Sequence, residues 1–229
     1  MLPAALAVGE VTLTCYVQAR SPGTKAGGDD LYYNSSATTK LRFHQRRNIR
    51  FRYQRWDSAT VTAPPDASCR SALRVEGTLL PIPDPPIDAL SPNPVPSNGR
   101  LVEDLFAMKS ATPGASGPEE IWFTMGNFGQ GGVALPSTPW TGATDPTRAV
   151  SAHEVAHMFN QSHLNHPVCG PNNGDALSAF PDNGQVIVIG WDQWANQEMR
   201  GATDLMSYCW ATAWMSPERW HRLFLKVGQ

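Results

Sequence analysis

Residues 11–17 read VTLTCYV, in which apolar and hydroxyl-bearing positions alternate at period two, and this predicts a half-buried strand. The segment LRFHQRRNIRFRYQRW (41–56) alternates in the same way: Ile49, Phe51 and Tyr53 fall on one face of a strand, Arg50 and Arg52 on the other. EEIWFTMG (119–126) predicts a further strand. Within the glycine-rich run GNFGQGGVALPSTP, Val133-Ala134-Leu135 predicts a short strand at a sheet edge beside an open cleft. SALRVEGTLL (71–80) and RLVEDLFAMK (100–109) predict short helices that need a shared sheet to pack on. Seven prolines fall between Pro81 and Pro96, which excludes a regular helix or central strand there and predicts a stiff surface connection within one domain. Ser216-Pro217-Glu218 opens a last helix whose Trp220, Leu223, Phe224 and Val227 share one face.

Composition narrows what such elements can do. With 229 residues, 41% hydrophobic and 17% charged, the chain is long enough to bury a core and too apolar for disorder. A net charge of −2 removes the global attraction of a nucleic-acid binder, so the arginine-rich strand reads as a solvated sheet face. No apolar run approaches the ~18 residues of a membrane span. The opening MLPAALAVG lacks the basic head and full apolar stretch of a signal peptide and reads as the edge of a mature chain. Nineteen glycines and twenty prolines imply many loops. Cys15, Cys69, Cys169 and Cys209 form an even set suited to two disulfides in an oxidising compartment, with three pairings open, and so predict export.

The chemistry concentrates in TDPTRAVSAHEVAHMFNQSHLNH (144–166). Asp145 as N-cap and Pro146 at the first helical position predict a helix of about four turns. On it His153 and His157, one turn apart, share a face with Glu154 beside them, while Ala152, Val155, Ala156 and Phe159 fall opposite and can bury against the sheet. Two imidazoles so spaced converge on a metal at ~2.0–2.1 Å, and the adjacent carboxylate reaches a water on that metal without ligating it. In a chain with this content of His and Glu, a chance HExxH is expected on the order of 0.005 times, and one followed by His163 about 0.0001 times.

The string from His153 to His163 resembles the HExxHxxGxxH motif of the metzincin clan of zinc endopeptidases, with Asn160 in place of the glycine that turns the chain back. Asn is the non-glycine residue that visits the left-handed conformation most readily. His163 keeps the motif's spacing and is the expected third ligand; the segment His166-Pro167-Val168-Cys169-Gly170 is similar to the third-ligand segment of some bacterial members, which makes His166 the alternative. Asp204-Leu205-Met206-Ser207-Tyr208-Cys209 resembles the clan's methionine turn, and FPDNGQVIVIGWD (180–192) also resembles bacterial members.

The resemblance implies an α+β fold: a mixed sheet with the active-site helix below an edge strand, then an irregular C-terminal part ending in a helix. It places the catalytic domain at 40–229 (upper part 40–160, lower part 161–229), after a strand-and-loop flank at 1–39. It implies a secreted, monomeric zinc endopeptidase acting on protein or peptide, with no nucleic-acid or membrane partner. Glu154 would be the general base toward a zinc-bound water, and Tyr208 would steady the oxyanion. Met206 would underlie the metal, Gly132, Val133 and Ala134 would bind peptide as a strand, and Trp210 and Trp214 would line pockets. It further implies a Cys169–Cys209 bridge, Cys15 and Cys69 pairing by remainder. A module that holds zinc but does not catalyse, binding peptide or glycan within a larger secreted protein, is the alternative.

Overall fold

The computed structural model describes residues 9–18, 34–43, 49–57, 62–74, 79–80, 87–90, 101–115, 117, 119–129, 131–135, 140–171, 174–175, 190–192, 196–209 and 213–227. The chain divides into two units, 1–45 and 46–229. In the first, β1 (Gly9–Gln18) and β2 (Asn34–Phe43) pair antiparallel, from Gly9 opposite Phe43 to Gln18 opposite Asn34. The period-two segment at 11–17 is therefore a strand. The arginine-rich segment 41–56 is divided, its head ending β2 and its tail forming the first strand of the second unit.

That unit runs β3 (Arg50–Arg55), α1 (Asp66–Leu73), β4 (Ile87–Ala89), α2 (Leu101–Ala111), β5 (Glu120–Met125), β6 (Gly132–Ala134), β7 (Thr141–Thr144), α3 (Arg148–Met158), β8 (Gly190–Asp192), β9 (Gln197–Met199), β10 (Thr203–Asp204), β11 (Ala213–Trp214) and α4 (Pro217–Val227). A five-stranded mixed sheet has the order β4-β3-β5-β7-β6; the first four strands are parallel and β6 runs antiparallel at the edge. Two further two-stranded pairs, β8 with β9 and β10 with β11, belong to the part that follows α3.

Alternation along β5 sends its side chains to two layers. Ile121, Phe123 and Met125 join Phe51 and Tyr53 of β3, Cys69, Ala72 and Leu73 of α1, and Ala152, Val155, Ala156 and Met158 of α3 in the main core. Trp122 turns the other way, onto Leu105 of α2. Helices thus cover both faces of a central, two-sidedly buried strand, as parallel pairing requires. Arg52 lies over the Trp122 ring and pairs with Glu120 at 3.1 Å, so this arginine of the predicted wet face is engaged within the sheet.

α1 begins earlier and ends earlier than the predicted 71–80 helix. Pro65 precedes it, Asp66 in its first turn accepts from the Tyr53 hydroxyl and from Arg70 Nε, and the chain leaves helical geometry at Arg74. Carboxylates are favoured at the positive end of a helix, which fixes the start there. No helix among the described residues is long and apolar enough to cross a membrane.

Candidate metal centre

α3 is buried on nearly every side, packed under β6 and β7 and against the core. Its start corrects the expected cap. Thr147, in extended conformation, is the N-cap and its hydroxyl accepts from Val150 N at 3.4 Å; Asp145 instead accepts from Phe128 N at 2.6 Å. The Asp145 carboxylate is thereby taken by the loop after β5, and Pro146 lies ahead of the helix. Eleven residues make about three turns rather than four.

At the other end, Asn160 adopts φ 60°. Asn160 N donates to His157 O at 2.9 Å and Gln161 N to Ala156 O at 3.0 Å, the paired bonds of a Schellman C-cap with Asn160 at its left-handed position. The chain reverses there and returns His163 to the helix.

Nε2 of His157 lies 3.1 Å from Nε2 of His153 and 3.0 Å from Nε2 of His163. Each ring's other nitrogen has an oxygen partner: His153 Nδ1 donates to Leu205 O at 2.7 Å and His157 Nδ1 to Gln161 O at 2.8 Å, and His163 Nδ1 meets the Tyr208 hydroxyl at 3.2 Å. A carbonyl only accepts, so the first two rings carry their proton on Nδ1 and turn the Nε2 lone pair inward. Burial pushes His153 down to about 3 and His157 down to about 4, and lowers His163 as well, so all three are neutral bases at physiological pH. The inward lone pairs of His153 and His157, with Nε2 of His163 against them, form a donor set suited to a cation. Ligands around a tetrahedral ion with bonds of ~2.0–2.1 Å stand roughly 3.3–3.4 Å apart, and the separations of His157 Nε2 from the other two nitrogens already approximate that spacing. The three histidines are positioned to hold a metal ion. Imidazole donors suit zinc, copper, iron and nickel alike.

His166 is not one of the three. It is 4% exposed, and its Nδ1 accepts from Val168 N at 3.2 Å and Cys169 N at 3.0 Å. It organises its own turn. The polypeptide after Asn160 is pinned on both flanks: Leu164 N donates to Met206 O at 2.9 Å and Asp175 N to His163 O at 2.7 Å.

Met206 is fully buried in the core, and the turn that carries it supplies the Leu205 carbonyl to His153. The Cys169–Cys209 disulfide joins this turn to the third-ligand segment, beside a Tyr208 N to Cys169 O bond of 2.5 Å. The second expected bridge is not formed. Cys69 is a free thiol on the inward face of α1, packed among Tyr53 and Leu73, while Cys15 belongs to β1 of the other unit. An even cysteine count cannot distinguish a core-facing side chain from a bridging one.

A cleft of about 1120 Å³ runs over the triad, walled by Gly131–Ala134 on one side and by Pro171, Gly174 and Tyr208 on the other. Glu154 lines it and is 3% exposed, and burial alone pushes its carboxyl up to about 8. Tyr208 is half-exposed, its ring 4.6 Å from that of His163 and its hydroxyl on Nδ1, the side of the imidazole away from the converging nitrogens. Trp214 packs against the core and is not among the residues lining the cleft. Trp210 and most of 180–192 lie outside the described residues.

One residue went unremarked in the sequence. Arg219 of α4, fully buried, bonds Asp204 of the methionine turn and the carbonyl of Ser162 beside His163. Neither a protein-family model nor a curated protein nor a solved structure matches the chain.

Proposed function

We propose that this chain is a zinc endopeptidase of metzincin type, working on extended peptide segments in an oxidising, extracellular setting. The observation that carries it is the convergence of three histidine Nε2 atoms in the cleft that the buried Glu154 also lines. His153, His157 and His163 would hold the zinc, which when bound supplies Lewis acidity to a scissile carbonyl and acidifies water. The Cys169–Cys209 bridge is compatible with the extracellular setting.

The peptide would lie along β6. Leu135 N donates to Thr141 O and Asp145 N to Gly131 O, so Gly131, Val133 and Leu135 direct their backbone groups to β7. By the alternation of an antiparallel ladder, the N–H and C=O of Gly132 and Ala134 face the free edge and are available to an incoming strand. Val133, 52% exposed, adds an apolar side chain to the cleft lining.

Glu154, ionised when a cation occupies the adjacent triad, would take a proton from the attacking water on its carboxylate and pass it to the departing amine as the C–N bond breaks. Tyr208, its hydroxyl 3.2 Å from His163 Nδ1, would accept the Nδ1 proton and so favour the tautomer that leaves Nε2 free. Among the described residues, those lining the cleft besides the histidines and Glu154 are uncharged, which favours neutral side chains in the segment bound.

The test is cleavage of unfolded casein by the zinc-loaded chain, with and without a chelator, and by Glu154→Ala. Expected are chelator-sensitive cleavage and, in the variant, retained zinc with a rate roughly 10²–10⁴-fold lower. A zinc-loaded wild type that binds peptide and cuts none would make the protein the non-catalytic module instead.

A further inference from the structure

Gly131 and Gly132 are adjacent and glycine for different reasons. Gly131 has φ 82°, and a β-carbon there would meet nothing within 4 Å, so its role is conformational. Gly132 is not among the residues with positive φ, so a left-handed backbone is not what makes it glycine. Space is what it lacks. A β-carbon on Gly132 would stand 2.8 Å from Glu154 Cγ, 2.9 Å from Glu154 Oε1 and 2.7 Å from Ala143 O.

Those distances fall below any real carbon contact, so no side chain fits while Glu154 and β7 stay where they are. Glu154 in turn has little else to orient it. Among the described residues no hydrogen bond or ion pair engages its carboxylate, and burial is the sole cause of its raised pKa. The side chain is held by packing, and the bare α-carbon of Gly132 is one of its walls.

The geometry points to Gly132 as a positioning residue for Glu154. Its missing side chain is the seat of the carboxylate, and its own backbone is part of the free edge that would bind peptide. One residue therefore sets the general base and the bound strand in a common register. This rests on the endopeptidase reading for its catalytic meaning, though the seat is a property of the fold.

The experiment is a double-mutant cycle on the full chain, using Gly132→Ala, Glu154→Ala and the double variant, with urea unfolding of the chelated protein, zinc affinity by chelator competition, and casein-peptide kinetics. Gly132→Ala should lower the folding equilibrium constant at least fivefold more in the wild-type background than in the Glu154→Ala background, since truncating Glu154 removes two of the three collisions. In the zinc-loaded chain kcat should fall roughly 100-fold, with zinc affinity unchanged and KM shifted less than kcat. Should Gly132→Ala not fold, folding of the double variant supports the seat and failure of both overturns it. Equal unfolding costs in the two backgrounds, or zinc affinity lost in step with kcat, also overturn it. A wild type inert on peptides sinks the peptidase reading alone, because the unfolding cycle decides the seat without turnover.

Discussion

The guanidinium of Arg219 offers the sharpest test of how the metal-binding segment is held. Its Nε lies 3.0 Å from Asp204 Oδ1, while Nη1 donates to Ser162 O at 3.1 Å and lies 3.6 Å from Asp175 Oδ2. Asp204 Oδ1 also accepts from Met206 N at 2.9 Å. One fully buried cation thus ties the last helix, the residue preceding His163 and the methionine turn. Removing one partner of a buried pair costs about 3–5 kcal/mol, because the other charge is stranded; an exposed pair such as Lys40–Glu10 contributes about 0–1 kcal/mol. Against a total stability of about 5–15 kcal/mol, Arg219→Met should leave a folded but much weakened protein.

The pH dependence follows from the residue left behind. Burial already holds the Asp204 carboxyl above its ordinary value, and Arg219 is the chief influence opposing that rise. Without Arg219 it rises further. A carboxyl with a raised native pKa binds its proton more tightly when folded, so stability is retained at low pH and lost as pH climbs above the ordinary aspartate range. The penalty of Arg219→Met, read from urea unfolding of chelated protein by tryptophan fluorescence, should therefore shrink between pH 7.5 and 5.5. Arg219→Met/Asp204→Asn, which removes the stranded charge, should recover a large part of it. Zinc affinity of Arg219→Met should fall on the order of tenfold through Ser162. A penalty below about 1 kcal/mol, or one indifferent to both pH and Asp204→Asn, would refute the clamp.

Replacing Cys169 and Cys209 by serine opens a crosslink spanning 40 residues, which the chain-entropy relation converts to about 4 kcal/mol, measurable as a lower urea midpoint. Asn160 is exposed at φ 60°, so its contribution is conformational: Asn160→Ala should cost about 1 kcal/mol and Asn160→Gly much less, and equal stabilities would dismiss the left-handed cap. Burial pushes the Lys109 ammonium down to about 8. The unfolded chain then holds the extra proton, so Lys109 should add up to about 1.4 kcal/mol of stability per pH unit above pH 8, read as the slope of the wild type minus that of Lys109→Met, because Glu154, pushed up to about 8, contributes the opposite sign in both. Cys69 and Tyr53, pushed up to about 11 and about 12, oppose this only above their ordinary values of 9.0 and 10.0.

What could be read from the sequence was whatever a single element encodes by spacing. Four residues put His153 and His157 on one helical face without help from elsewhere, and Asn160 could be read as a reversal because its left-handed preference is intrinsic. The strands around Val11–Val17 and Ile49–Tyr53 were legible for the same reason, since alternation belongs to the strand itself. Outcomes decided by competition between distant groups were not. Asp145 is as good a cap as Thr147 by type, and it lost the position because Phe128 N claimed its carboxylate. The apolar face of α4 was visible in Trp220, Leu223 and Val227, yet the largest fully buried side chain there is an arginine, intelligible only once Asp204 is brought against it from another turn. Cys69 counted toward an even set until packing turned it into the core. The two glycines before Val133 make the point at its finest grain. The same letter twice records a backbone angle at Gly131 and the nearness of Glu154 at Gly132, and only the second depends on a helix that comes later in the chain.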